Sequence, residues 1–356
     1  MPEVLYVPVL KGRQGELAAL SSIQPVTRQH LLPVLEIVPG PGDDAYSTAP
    51  QLRSTIEKVA KRLQTWAGPR LLLDAGLLTT EMELRDGFGA VGFSIAAALD
   101  QGISVTPVVR LDDGLLALQD AKTWHADTRC GISLRLSVKD LDEDAEDIDT
   151  AVTGLLRDLA VDRQQADLIL DVGPAIGDLM VRAGSRLAAD ALRALTDPDD
   201  FREIIVTAGA FPPDLGDYPP WEIGEPMRYD AALYDHLRQR RRLPRIPTYG
   251  DYAVTNPILV TGLPYRASPQ LRYTLADRWL VLKGGRNDPR GHEQFYDICQ
   301  RVSAHPDFVG AALGDADARI ADARAKGPGN ASTWREIGTT HHLDYVVRRL
   351  TSLDEP

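Results

Sequence analysis

Pro8-Val9-Leu10-Lys11, Pro33-Val34-Leu35-Glu36 and Pro107-Val108-Val109-Arg110 repeat one pattern, an apolar run closed by a charge. Four further runs fit it: Leu71-Leu72-Leu73-Asp74, Ser133-Leu134-Arg135-Leu136, Leu168-Ile169-Leu170-Asp171 and Ile204-Ile205-Val206-Thr207. An eighth candidate strand, Ile246-Pro247-Thr248-Tyr249, follows. A charged or hydroxyl side chain at the end of an apolar strand is costly to bury without a partner or ligand. Polar groups gathered at one end of a set of parallel strands describe the mouth of a barrel.

The segments between these runs are long enough for crossover helices, which parallel strands require. Helices are expected within 13–22, 51–66, 89–99, 145–159, 176–195 and 229–242. Leu52, Ile56, Val59, Ala60 and Leu63, for instance, form an apolar stripe at helical spacing. Prolines 8, 33, 107 and 247 fall near strand starts, where a missing N–H is tolerated. A doubly wound open sheet also alternates strand and helix. Eight strand candidates without a Gly-x-Gly-x-x-Gly turn favour the closed (β/α)8, TIM-type barrel.

Beyond the eighth strand the repeat stops. Leu271–Leu275 and Trp279–Leu282 are expected to form a hairpin, with helices over 292–302, 308–324 and about 342–350. The chain is therefore expected to be one barrel domain over 1–356, with 255–356 as a hairpin and helical elaboration packed on it. At 356 residues this size is within the range of barrels with insertions.

A hydrophobic content of 44% is ample for a core, and no run approaches the roughly 20 apolar residues that cross a bilayer. The amino terminus lacks the pattern of a secretion signal. Cys130 and Cys299 are the two cysteines, without redox or metal spacing, so a reducing cytoplasm is the expected setting. The net charge of −12 disfavours general nucleic-acid binding while leaving room for a local basic pocket. The acidic run 140–149 reads as a solvated loop and helix start, and the basic run 238–245 as a helix end.

The chemistry is expected at the strand ends, where Lys11, Arg110 and Arg135 meet Glu36, Asp74 and Asp171. Cations there can hold an anionic group, Arg bidentately. Crowded carboxylates can split into acid and base, which makes Glu36, Asp74 and Asp171 the catalytic candidates. The competing reading is an inert ion-pair network. Lys11 could form a Schiff base or hold phosphate, but a salt bridge to Glu36 is its simplest role. Loops after the last two barrel strands are the habitual phosphate seat, so Thr207, Tyr249 and Asp251 join the substrate-binding set. Lys283, in Lys283-Gly284-Gly285-Arg286, is expected to cap the pocket, although that stretch lacks the ending of a nucleotide-binding P-loop.

No histidine spacing suits a zinc site. Mg²⁺ on Glu36, Asp74 and Asp171 is conceivable, but the adjacent arginines disfavour it, so no cofactor is expected. His341 and His342 are read as opening the last helix behind a Thr339 or Thr340 N-cap, one packed and one exposed. No Gly-x-Ser-x-Gly elbow is present.

The opening Tyr6-Val7-Pro8-Val9-Leu10-Lys11-Gly12-Arg13, with Gly15-Glu16-Leu17 and Ala19-Leu20, resembles the beginning of the beta-protein family found in T-even phages and bacteria. The resemblance continues through Pro33–Glu36, Tyr249-Gly250-Asp251-Tyr252, Gly314-Asp315, Trp334-Arg335 and His341-His342. It implies an association with phage–host conflict and specifies no reaction. The leading functional expectation is a hydrolase or lyase acting on an anionic, phosphate-bearing small molecule or nucleotide. The alternative is a non-catalytic sensor or protein-binding component of a phage or defence system.

Overall fold

A computed structural model describes residues 3–40, 47–78, 81–142, 145–259 and 267–354. Eight parallel strands close into a barrel in sequence order. They are β1 (Tyr6–Lys11), β2 (Val34–Glu36), β3 (Leu71–Asp74), β4 (Val105–Val109), β5 (Ile132–Leu136), β6 (Ala166–Pro174), β7 (Glu203–Gly209) and β8 (Thr248–Asp251). β8 pairs back onto β1, with Tyr6 opposite Tyr249 and Pro8 opposite Asp251. The open-sheet alternative is thereby excluded.

Side chains alternate between the two faces of each strand. Val7, Val9, Val34, Leu72, Val108, Ile169 and Ile205 point inward and fill the barrel. Their neighbours Leu10, Leu35, Leu71, Leu73, Val109, Leu134, Leu170 and Val206 point outward into a second apolar layer beneath the helices. Every barrel strand is thus buried on both sides, which explains the unbroken apolar runs. The expected crossover helices are present, among them Gln14–Ser22, Ala49–Leu63, Ala90–Leu99 and Asp178–Ala194. A further helix, Leu115–Thr128, follows β4 in a segment that the apolar pattern does not single out. Within the acidic run, Val138–Leu141 and Ala145–Leu159 are helical, while 143–144 lie outside the described residues.

The carboxy-terminal hairpin consists of β9 (Gln270–Thr274) and β10 (Trp279–Lys283), paired antiparallel. Two expected boundaries there are corrected. The 308–324 segment is helical only over Asp315–Ala321, because Gly310 adopts a left-handed φ of 91° and Gly314 is fully extended. The last helix runs over Ala331–Asp354, far longer than expected. Its start is set by Asn330, whose Oδ1 accepts the N–H groups of Ser332 (2.9 Å) and Thr333 (3.3 Å). Thr339 and Thr340 are interior, fully buried positions, and His341 and His342 are both buried. Tertiary packing overrides the weak helix propensity of that Thr-Thr-His-His stretch.

This helix joins two apolar clusters. Trp334 and Ile337 pack with the hairpin residues Leu271, Tyr273 and Leu280. Leu343, Val346, Val347 and Leu350 belong to the outer layer of the barrel. Close approach on both sides depends on missing side chains. A Cβ at Gly338 would stand 2.8 Å from the Arg272 carbonyl oxygen in β9. One at Gly15 would stand 2.5 Å from the Ser332 carbonyl oxygen. Gly338→Val is expected to destabilise the protein by about 1–3 kcal/mol, the usual cost of overpacking. A denaturation midpoint unchanged from wild type would contradict this packing.

Candidate anion site at the barrel mouth

Two positions beyond each inward apolar residue, the same face carries a polar one. Val9 leads to Lys11, Val34 to Glu36, Leu72 to Asp74, Val108 to Arg110, Ile169 to Asp171 and Ile205 to Thr207. Arg135 follows the inward, buried Ser133. The six expected charges therefore meet in one network at the carboxy-terminal mouth.

Arg135 is its hub. Nη1 donates to Glu36 Oε1 (3.0 Å) and Asp74 Oδ2 (2.6 Å), while Nε and Nη2 donate to Asp171 Oδ2 (3.0 and 2.7 Å). The Tyr252 hydroxyl accepts from Arg135 Nη2 and donates to Asp171 Oδ2 (2.6 Å). Arg110 grips Asp74 bidentately at 3.0 and 2.7 Å. Lys11 Nζ reaches Glu36 Oε2 (3.3 Å) and the Pro257 carbonyl (2.9 Å). Thr207 Oγ1 donates to Asp171 Oδ1 (3.1 Å). Three cations balance three carboxylates.

The electrostatics follow from this pairing. Burial alone would raise the Asp74 carboxyl, but Arg110, Arg135 and the Gly76 N–H outweigh it and hold Asp74 at about 2. Asp171, also buried, is held below the ordinary carboxylate range by Arg135, Tyr252 and the Gly173 N–H. Burial, with Asp171 and Glu36 beside it, pushes the Tyr252 hydroxyl well up despite Arg135. Asp74 and Asp171 are therefore ionised at neutral pH and poor proton donors. Among the described residues, no group of three or more His, Cys, Asp or Glu is arranged to hold a metal ion.

Two residues expected at the mouth stand elsewhere. Tyr249 and Asp251 have the opposite parity to Tyr252, so they face outward beneath the last helix. There Asp251 Oδ2 accepts from Arg228 (3.0 Å) and from Tyr249 OH (2.8 Å). Asp251 Oδ1 accepts from the Tyr6 hydroxyl, and His342 Nε2 lies 2.9 Å from that hydroxyl and 3.1 Å from Asp251 Oδ2. Arg228 Nη2 also donates to Asp230 Oδ2 (3.2 Å). This second network is buried and ties β1 and β8 to the last helix. Burial lowers His342 although Asp251 opposes that shift. Lys283 donates to the Leu215 carbonyl in the loop after β7 (2.5 Å), and Arg286 is exposed.

Beside Lys11 opens a cleft of about 80 Å³, walled by Arg13, Glu16, Asn256, Arg272 and Arg335. Arg272 and Arg335 both donate to the Val254 carbonyl, at 2.6 and 3.2 Å. Glu16 lies in the first turn of the Gln14–Ser22 helix, 1% exposed, with Oε1 3.9 Å from Arg335 Nη1. Its Oε2 has no hydrogen-bond partner among the described residues. Burial pushes the Glu16 carboxyl up, against the pull of Arg335, Arg13 and Lys11. Arg13, Arg272 and Arg335 thus line this cleft with Glu16, and Lys11, already paired with Glu36, stands beside them. The strand-end pattern pointed to Lys11 alone of these residues. Arg13 and Glu16 stand in the stretch that carries the family resemblance, as does Arg335. Arg272 has no local pattern to mark it.

The Beta protein family model matches residues 6–348, nearly the whole chain. The chain belongs to the Beta protein family. No curated protein matches the sequence. Among solved structures, it is similar to the carboxyl transferase domain of Rhizobium etli pyruvate carboxylase. A variant of that domain with pyruvate gives a TM-score of 0.41 at 11% identity, covering 98% of this chain and 49% of that one. The domain with 3-bromopyruvate gives 0.32 at 8% identity, covering 69% and 45%. The chain thus spans about half or less of those chains, and likeness of this degree carries no argument about chemistry. Among the described residues no helix is long and apolar enough to cross a membrane.

Removing one partner from either network should leave buried charge behind. Arg135→Met leaves Asp171 without a cation, while Asp74 keeps Arg110 and Glu36 keeps Lys11, and is expected to cost about 3–5 kcal/mol in urea denaturation. Arg228→Met should cost a similar amount, and adding Asp230→Asn should recover part of it, which a double-mutant cycle will measure. Acid should act on Asp74 in a defined window. Its folded pKa lies below its unfolded value, so its contribution is full above about pH 4 and is lost as pH falls towards 2. Asp171 is shifted in the same direction. Stability should decline across that window by on the order of 2 kcal/mol from Asp74 alone, and a flat profile there would contradict the pairing.

Proposed function

We propose that this protein binds an anionic, phosphate-bearing small molecule or nucleotide at the barrel mouth. The observation that carries this reading is the cleft beside Lys11, where Arg13, Arg272 and Arg335 surround one buried carboxyl. Arg110, with 24% of its side chain exposed, is the most open member of the adjoining ion-pair network. It would extend the positive field along the mouth. Recognition fits the geometry better than catalysis by the strand-end carboxylates. Glu36, Asp74 and Asp171 are each engaged by arginine, so their lone pairs are committed in this arrangement.

The sensor reading follows, and family membership suggests phage–host conflict as its setting, with a nucleotide as ligand. A hydrolase reading is second, and one observation favours it. Glu16 is a carboxyl at the wall of the cleft, raised by burial, and could exchange a proton with a phosphoester there. In neither reading is a metal or organic cofactor required by the residues that line the cleft.

Binding and turnover measured together on a panel of nucleotides and sugar phosphates separate these readings. A binding ligand should raise the melting temperature, as mass action requires. Arg13 is exposed, so Arg13→Met should leave the unliganded melting temperature unchanged. Affinity should fall roughly 10- to 100-fold, the worth of one charged hydrogen bond. Saturable binding without product supports the sensor, and product formation supports the hydrolase. A panel with no stabilising member overturns the proposal.

A further inference from the structure

Glu16 is anomalous in the cleft. The four side chains nearest it in function, Lys11, Arg13, Arg272 and Arg335, are hydrogen-bond donors without acceptor capacity. They suit the oxygens of an anion. A carboxylate among them repels that same anion, so a cleft meant for any oxyanion would be better without it. Glu16 is nevertheless built in. It is 1% exposed, on the first turn of a helix whose Gly15 permits contact with the last helix. Oε2 has no hydrogen-bond partner among the described residues, and an unsatisfied buried oxygen is costly. That cost is removed when a ligand places a hydrogen on the line to Oε2.

Resting on the anion-binding reading above, we propose that the cleft takes a hydrogen-bearing oxyanion, inorganic phosphate or a phosphoester monoanion, whose P–OH donates to Glu16 Oε2. The remaining phosphate oxygens accept from Lys11, Arg13, Arg272 and Arg335. One proton then lies between the ligand and Glu16. Phosphate carries that proton itself at neutral pH. Sulfate has the same shape and charge but brings no proton, so it meets the carboxylate oxygen lone pair to lone pair. It can enter only once Glu16 is protonated, a step that burial favours and that Arg335, Arg13 and Lys11 oppose. Glu16 is thus a specificity-determining residue, and it selects phosphate over sulfate. The cleft's volume of about 80 Å³ suits a single phosphate group. It is the space of two to three waters at roughly 30 Å³ each. The rest of a larger ligand would extend into solvent along the mouth.

The test is calorimetric titration of the full chain at neutral pH with inorganic phosphate and with sulfate, at matched ionic strength. Phosphate is expected to bind at least tenfold more tightly than sulfate. In Glu16→Gln the amide N–H can donate to either anion, so sulfate should gain affinity and the ratio should fall towards one. The melting temperature of unliganded Glu16→Gln reports whether the variant is folded, and the wild-type ratio decides the question without it. Equal binding of both anions to wild type overturns the selectivity and leaves the anion site standing. An unchanged ratio in folded Glu16→Gln likewise overturns the role of Glu16. If neither anion binds, both this inference and the anion-binding reading fall.

Discussion

A guanidinium with 7% of its side chain exposed, facing three carboxylates across a closed barrel, is the constraint on which the mouth depends. Arg135 draws on Glu36 of β2, Asp74 of β3 and Asp171 of β6, so strands that are not neighbours share one hydrogen-bonded centre. Desolvating such charges costs several kcal/mol per ion unless geometry and further hydrogen bonds compensate. Here the compensation is thorough. Tyr252, Thr207 and the N–H groups of Gly76 and Gly173 occupy the lone pairs that the arginines leave. The network ties the strands of the mouth together, and it holds the strand-end carboxylates in ion pairs.

The fold was legible because each strand is buried on both faces and ends in a charge. Those two properties leave a barrel as the simplest common explanation. The inner network was legible for the same reason, since Lys11, Glu36, Asp74, Arg110 and Asp171 all end apolar runs. Tyr249 and Asp251 were misread because polarity was taken without parity. Gly250 of β8 and Tyr252 just past its end take the inward positions, and the alternation sends Tyr249 and Asp251 to the outer face. Arg228, Arg272 and Arg335 lie outside the barrel strands. Their positions are set by tertiary packing against the hairpin and last helix, which local periodicity does not encode. The length of that helix was hidden by Thr339, Thr340, His341 and His342, residues that favour helix ends in isolation but are held here by burial, with His341 bonded to Asp317 and His342 to Asp251.

β1 serves two networks through its two faces. Lys11 points inward to Glu36 and the cleft, while Tyr6 points outward to Asp251 and His342. The last helix does the same, with Arg335 at the cleft and His342 in the outer network. Neither network can be displaced without moving an element that the other holds, and this rigidity would suit the proposed discrimination between ligands of like shape.

Glu16 and Arg335 are separated by nearly the whole chain, and closing so long a loop is entropically costly until intervening structure has formed. Contacts of that separation tend to slow folding and to form late. The cleft therefore cannot preexist the barrel. A partly folded chain would hold Lys11, Arg13 and Glu16 without the opposite wall, and would not offer ligand a site. On the proposed anion-binding reading, ligand binding would be a readout of completed folding, and a bound anion would retard unfolding most at the step that first parts the last helix from the Gln14–Ser22 helix.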